Sequence, residues 1–358
     1  MKRRAMLAAS TAATGAIAAP ALAQGGTRWN MVMPWPRLTP GVGVAAEKFA
    51  HRVGAMSGGR LQLKLFAAGE LVPPFGGFDA VQSGAVQIAH GTPYYWAGKA
   101  PALHWFTGVP FGLTAPELAA WIYYGEGGKL WREIYDDFGV VGFYAGSSGV
   151  QAGGWFRNEI NTVADLQGLK FRIAGLGGEV MRRLGAVPVA MPPGEIMQSL
   201  TSGAIDAAEW IGPWNDRAFG LYKVAKYYYV PAFHEPGPGL EVIVNKAAWD
   251  ELTPDLQAII EAAASAAASE TYADFTYHNI ESYGPLLAEN GVQVRGFSDE
   301  IVKAMGEAWR ATSAEMSEKD PVTRRVVESF QAFLAKAQPY GEIFDGRMLA
   351  MRRIVLGS

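Results

Sequence analysis

The sequence predicts an α/β protein of two lobes joined by hinge strands, and three observations carry that prediction. Strand and helix patterns alternate from residue 27 to residue 92, and the same alternation restarts near residue 140. A strand running into a helix, "PGLEVIVNKAAWDEL", then offers a way back to the first unit, which makes a hinge with a cleft between the lobes. At 358 residues the chain is long enough for two cores, and 43 glycines with 21 prolines indicate many turns. Hydrophobic residues at 49% and charged residues at 18% place it among globular proteins.

In the first unit "TRWNMVMPW" reads as a strand and "GVGVAAEKFAHRVGAMSGG" as a helix ended by Gly58-Gly59. "RLQLKLFAAGEL" alternates as a second strand, and "GGFDAVQSGAVQIAHGTP" gives a helix, a turn at Ser83-Gly84 and a short strand, so the strands are expected to be largely parallel. The second unit runs through "GVVGFYAG", "GLKFRIAG", "GEVMRRLGA", "VPVAM", "GEIMQSLTSG" and "AIDAAEW". From Thr253, an N-cap followed by Pro254, helical periodicity continues to Asn290-Gly291; such a helix of roughly 50 Å would span both lobes. In "PYGEIFDGRMLAMRRIVL", Phe344, Met348, Met351 and Ile354 recur at helical spacing, which predicts core packing first and a dimer contact second. The expected organisation is 24–145 plus 240–320 as lobe I with the spanning helix, 146–239 as lobe II, and 321–358 as a C-terminal helical segment.

Residues 1–23 read as an export signal, with "MKRR" as the basic region and "ALA" before Gln24 as the cleavage site; Arg3-Arg4 only hints at the twin-arginine route. No later stretch reaches the length of a membrane span, so a protein free in the periplasm is expected. Without Lys2, Arg3 and Arg4 the balance is 28 basic against 34 acidic residues, which argues against nucleic acid as a partner. With no cysteine, disulfides, thiol catalysis and thiolate metal sites are excluded.

Catalytic fingerprints fail on single residues. Val180 stands where a dinucleotide loop starting at Gly175 needs glycine, Val150 where a nucleophile elbow around Ser148 needs it, and Pro236 breaks a helical zinc reading of "HEPG". Four polar residues then stand out at strands or strand ends of the second unit: Gln151, Arg172, Glu209 and Glu235. Arg172 is suited to a bidentate grip on a carboxylate, or is a surface arginine on an edge strand. Glu209 lies among Ala207, Ala208, Trp210 and Ile211, and a buried carboxylate must be paired. A hard cation such as Na⁺ or Ca²⁺ would do this, with Gln151 adding an amide oxygen and Glu235 a second carboxylate; a salt bridge or a helix N-cap is the alternative for each glutamate.

"LFAAGEL", "DAVQSGAVQIAHGTPYYW", "ADLQGLKFRIAGLGGEVMRRLGAVPVAMPPGEIMQSLTSGAIDAAEW" and "VIVNKAAWDELTPDLQ" resemble the substrate-binding subunits of tripartite ATP-independent periplasmic (TRAP) transporters. The resemblance spans about Arg28 to Phe344 and implies a type II-like periplasmic binding protein working with a small and a large membrane subunit. "AEWIGPWND", "KVAKYYYVPAFHEPG" and "SSGVQAGGWF" are similar to the branch that binds 2-oxo or 2-hydroxy monocarboxylates with a metal ion. Carried over by motif, Arg172 would grip the ligand carboxylate and Gln151 would touch ligand and cation. Glu209, the carbonyl of Trp210 and Glu235 would hold the cation. Tyr95 and Asn215 would belong to the pocket, and Trp210, Trp214 and Trp155 would exclude water. The resemblance also implies a homodimer through the C-terminal helix as an alternative to a monomer. Met181, Met191 and Met197 depart from the short pattern. An exported metal-dependent enzyme acting on small carboxylic acids is the competing reading, and a ligand sensor is a third.

Overall fold

The computed structural model describes residues 26–289 and 291–357, so the export signal expected over 1–23 lies outside the described residues. Eleven strands occur among them: β1 (Thr27–Val32), β2 (Leu61–Phe66), β3 (Ile88–Gly91), β4 (Val140–Ser147), β5 (Gly154–Phe156), β6 (Lys170–Arg172), β7 (Val187–Val189), β8 (Ala207–Ala208), β9 (Tyr227–Tyr229), β10 (Gly239–Asn245) and β11 (Gln293–Arg295). They form two sheets, in the order β2-β1-β3-β10-β4 and β11-β9-β5-β8-β6-β7. Both sheets are mixed. β10 runs antiparallel to β3 and β4, and β5 runs antiparallel to β8 and β9, because each of these strands enters its sheet from the other one.

The chain crosses between sheets from β4 to β5 and again from β9 to β10, as the two-crossing hinge requires. It then crosses twice more. After the helix Pro254–Leu287, about 51 Å long at 1.5 Å per residue, β11 pairs with β9 at the edge of the second sheet, and the helix Asp299–Lys319 packs on the helix Gly175–Arg183. This differs from the expected allocation of all of 240–320 to the first lobe. The helix Pro321–Gly341 returns to the first lobe, where Phe330 meets the Trp121 ring edge-on and Trp121 Nε1 donates to Ser329 Oγ at 3.1 Å.

The long helix lies on β4 through small and apolar residues, Ile260, Ala263, Ala264, Ala267 and Thr271. Gly146 permits this approach, since a Cβ there would come within 2.8 Å of Thr271 Cβ, and its φ of +143° disfavours a side chain. In the first lobe Phe106 stacks between Trp121 and Trp131, and in the second Phe156 packs on Phe171 and Tyr229. No described helix is long and apolar enough to cross a membrane.

The C-terminal segment overturns the core-packing expectation. The helix Pro321–Gly341 continues through a π-helical turn into Arg347–Leu356, and this stretch stands away from the body. Phe344 is 59% exposed and Ile354 83%, with Met348 and Met351 between them also exposed. Helical spacing of apolar residues marks a face to be covered, and among the described residues nothing covers this one.

Candidate ligand and cation site

Arg172 ends β6, an interior strand flanked by β7 and β8, so it is not the edge-strand surface arginine that its spacing also allowed. The parallel register pairs Arg172 with Ala208, which places Glu209 one residue further along on the neighbouring strand. The two side chains meet there, 2% and 1% exposed. Arg172 Nη1 donates to Glu209 Oε1 and, at 2.7 Å, to the Glu209 carbonyl. The Ala174 amide also donates to Oε1 at 3.2 Å. Burial opposes ionisation of Glu209, but the Arg172 charge, His234 and the Ala174 amide outweigh it and hold its carboxyl below the usual range. The guanidinium lies 5.7 Å from the Trp210 ring, and that ring stacks on Phe219.

The salt-bridge reading of Glu209 is therefore realised, yet it uses one oxygen only. Oε2 has His234 Nε2 as its neighbour, at 3.7 Å, beyond hydrogen-bond reach. Glu235 is buried close by, and burial together with the negative Glu209 holds its carboxyl well above the ordinary range. Gln151 is tied to it by a backbone bond from its own amide to the Glu235 carbonyl, 3.2 Å. Gln151 Nε2 donates to Ser148 Oγ at 2.9 Å, which leaves Oε1 buried without a donor. Among the described residues no hydrogen bond reaches the Trp210 carbonyl either, whereas the carbonyls of Glu209 and Ile211 accept from Arg172 and Ala152.

These oxygens (Glu209 Oε2, Glu235, Gln151 Oε1 and the Trp210 carbonyl) fit a hard cation, which takes carboxylate, amide and peptide oxygens together. Among the described residues no trio of His, Cys, Asp and Glu side chains forms a metal site, so any cation here relies on the amide and peptide oxygens.

A cavity of about 300 Å³ opens beside Arg172. Phe75, Tyr94 and Tyr95 of the first lobe face Arg172, Ala174, Pro188, Ala190 and Met191 of the second across it.

 Of the residues the sequence pointed to, Arg172 and Tyr95 line this cavity, and Gln151, Glu209, Trp210 and Glu235 lie in the buried cluster around Arg172. Tyr95 packs on Phe75 and Tyr94, with ring centroids 4.7 and 4.9 Å away.

Three expected residues sit elsewhere. Asn215 is fully buried but off the cavity wall, and its Nδ2 donates to the Pro40 carbonyl at 2.8 Å, joining the second lobe to the first. Trp155 stacks on Tyr228 at 4.2 Å inside the second lobe, and Trp214 stacks on His278 of the long helix at 4.2 Å. Neither tryptophan lines the cavity, because both are held by aromatic partners in their own layers. Of the three methionines, Met191 lines the cavity and Met181 is in the second-lobe core. Sequence reasoning did not assign Tyr94, Phe75 or His234; the doubled tyrosine in "PYYW" and the histidine beside Glu235 were the available signals.

A family model for bacterial extracellular solute-binding proteins, family 7, matches residues 31–320. The chain belongs to this family. A monocarboxylate 2-oxoacid-binding periplasmic protein of Nostoc sp. is 43% identical to this family member over 343 residues, covering 93% of this chain and 94% of the relative. A TRAP periplasmic solute-binding protein from Pseudoalteromonas atlantica, solved with sodium and pyruvate, has a TM-score of 0.89 at 39% identity, covering 91% of this chain and 99% of that one. A TRAP solute-binding protein from Bordetella bronchiseptica, described as a mixed-occupancy dimer with calcium and picolinate in one site, has a TM-score of 0.91 at 36% identity, covering 93% and 99%. The chain is thus a solute-binding protein of the TRAP type, with the two-lobed α/β fold of these structures.

Proposed function

We propose that this family 7 member is the periplasmic receptor of a TRAP transporter, binding a 2-oxo or 2-hydroxy monocarboxylate together with Na⁺ or Ca²⁺ and delivering it unchanged to a small and a large membrane subunit. The observation that carries this reading is the buried Arg172 on the cavity wall, beside the buried carboxyls of Glu209 and Glu235 and the donor-less Oε1 of Gln151. Arg172 Nε has no partner, so the guanidinium keeps donor capacity for a ligand carboxylate while Nη1 holds Glu209. A cation bound at Glu209, Glu235, Gln151 and the Trp210 carbonyl supplies positive charge for the ligand's 2-oxo or hydroxyl oxygen. Tyr94, Tyr95 and Phe75 wall the cavity and limit water around these charges. Domain closure then rests on one lobe built on the first sheet and another on the second, the latter including β11 and the helix Asp299–Lys319.

Phe75, Pro188, Ala190 and Met191 give the cavity an apolar end, which favours a ligand with a short aliphatic tail over pyruvate itself. At about 0.8 kcal/mol for each buried CH₂, 2-oxopentanoate binds about 15-fold tighter than pyruvate. Calorimetric titration of the metal-stripped protein with both acids, with and without Ca²⁺, tests this. Binding that needs the cation and returns intact acid supports the receptor. Chemical conversion of the acid, or equal affinity for acetate, contradicts it.

The exposed C-terminal face is the contact of a homodimer, supported by its uncovered Phe344, Met348, Met351 and Ile354. Light scattering should give a dimer mass for the mature chain and a monomer mass once residues 340–358 are removed. A monomer mass for both would remove this contact.

A further inference from the structure

Asp216 is a fully buried carboxylate that does not line the cavity, and among the described residues no basic side chain acts on it. Its Oδ2 accepts from Trp155 Nε1 at 3.0 Å and its Oδ1 accepts from the Ile211 amide at 3.2 Å. The second bond matters for the site. The Ile211 N–H and the Trp210 C=O belong to one peptide group, which is trans, since Val230–Pro231 is the one cis bond among the described residues. In a trans peptide these two groups point to opposite sides of the chain. Fixing the N–H toward Asp216 therefore fixes the Trp210 carbonyl away from it, and that carbonyl is the one of three consecutive carbonyls without a donor.

We infer that Asp216 is a positioning residue for the cation, turning the Trp210 carbonyl into the site through the Ile211 amide. The inference rests on the proposed role of that carbonyl as a cation ligand. The neighbouring peptide is held independently, because the Ala152 amide donates to the Ile211 carbonyl at 2.9 Å, so the 210–211 peptide is the one whose orientation Asp216 controls. Its second donor, Trp155, provides a way to separate this role from general packing. With Trp155→Phe the carboxylate keeps the Ile211 bond and loses the other. Adding Asp216→Asn keeps an acceptor oxygen for Ile211, whereas adding Asp216→Leu removes it.

The test is Ca²⁺ titration of these three full-length variants after metal removal, read by calorimetry and by NMR of protein labelled with ¹³C-carbonyl tryptophan and ¹⁵N isoleucine. Trp–Ile occurs only at 121–122 and 210–211, so the first pair is an internal reference. Trp155→Phe and Trp155→Phe/Asp216→Asn should bind Ca²⁺ within about threefold of wild type, with the Trp210 carbonyl resonance shifting on binding. Trp155→Phe/Asp216→Leu should bind at least about tenfold more weakly; Asp216→Ala takes its place if the leucine variant does not fold. Wild-type affinity in the variant lacking an acceptor overturns the positioning role, and so does an equal loss in Trp155→Phe alone. If Ca²⁺ binds the wild type but leaves its Trp210 carbonyl resonance unmoved, the carbonyl is not a ligand, and the underlying reading fails separately.

Discussion

Arg172→Ala is expected to abolish carboxylate binding and to destabilise the protein at the same time. Two charge-assisted hydrogen bonds to the ligand are lost, which corresponds to roughly 10²- to 10⁴-fold in Kd. The same change leaves Glu209 buried without its cationic partner, and breaking a buried pair from one side costs about 3–5 kcal/mol. Arg172→Lys separates the two effects. An ammonium keeps a positive charge beside Glu209 but cannot present two parallel donors, so stability should largely return while ligand affinity does not. Calorimetry for binding and thermal melting for stability measure both, and a lysine variant that binds the acid as tightly as wild type would show that charge alone is sufficient.

A second large effect is expected in the pH dependence of stability. Glu241, on β10, is buried with only neutral donors, Trp96 Nε1 and Tyr135 Oη, the latter at 2.6 Å. Burial pushes its carboxyl from 4.5 up to about 8, although both hydrogen bonds pull the other way. Between those two values the folded chain holds a proton that the unfolded chain has released. Raising the pH through this window therefore favours unfolding, by roughly 5 kcal/mol once both limits are passed. Burial of Asp216, which sits at about 7, acts in the same direction. Glu241→Gln removes the first contribution and can keep both contacts, its oxygen accepting from Trp96 and its amide donating to Tyr135. Urea unfolding between pH 5 and pH 9 should show a clear fall for the wild type and a flatter curve for the variant. Parallel curves would remove Glu241 as the source. Because Trp96 closes the turn that carries Tyr94 and Tyr95, the same carboxylic acid also supports the cavity wall.

The alternation of strands and helices was legible because β1 and β2 are each six residues long and the helix Val42–Met56 between them has a definite apolar face. The three-residue strands β5, β9 and β11 were not, since runs such as "GWF" and "YYY" carry no period and are strands only through their neighbours. Arg172 and Glu209 were each visible as charges in apolar surroundings. Their pairing was not, because it depends on β6 lying beside β8 in a register that brings residues 37 apart into contact. The apolar C-terminal face could be seen in the sequence, but a face that meets the core and a face that meets a partner have the same spacing. Asn215 and Trp155 resembled pocket residues by motif, and only tertiary placement shows one bonded to Pro40 and the other to Asp216.

Joint holding of ligand and cation at Arg172 and the oxygens around Glu209 is the core of the proposed function. A crystal structure of the protein grown with Ca²⁺ and 2-oxopentanoate, with anomalous scattering to locate the metal, tests it most directly. One calcium peak bonded to Glu209, Glu235, Gln151 and the Trp210 carbonyl is expected, with the acid's carboxylate on Arg172. A calcium peak away from Glu209, or an acid bound without contact to Arg172, would contradict it.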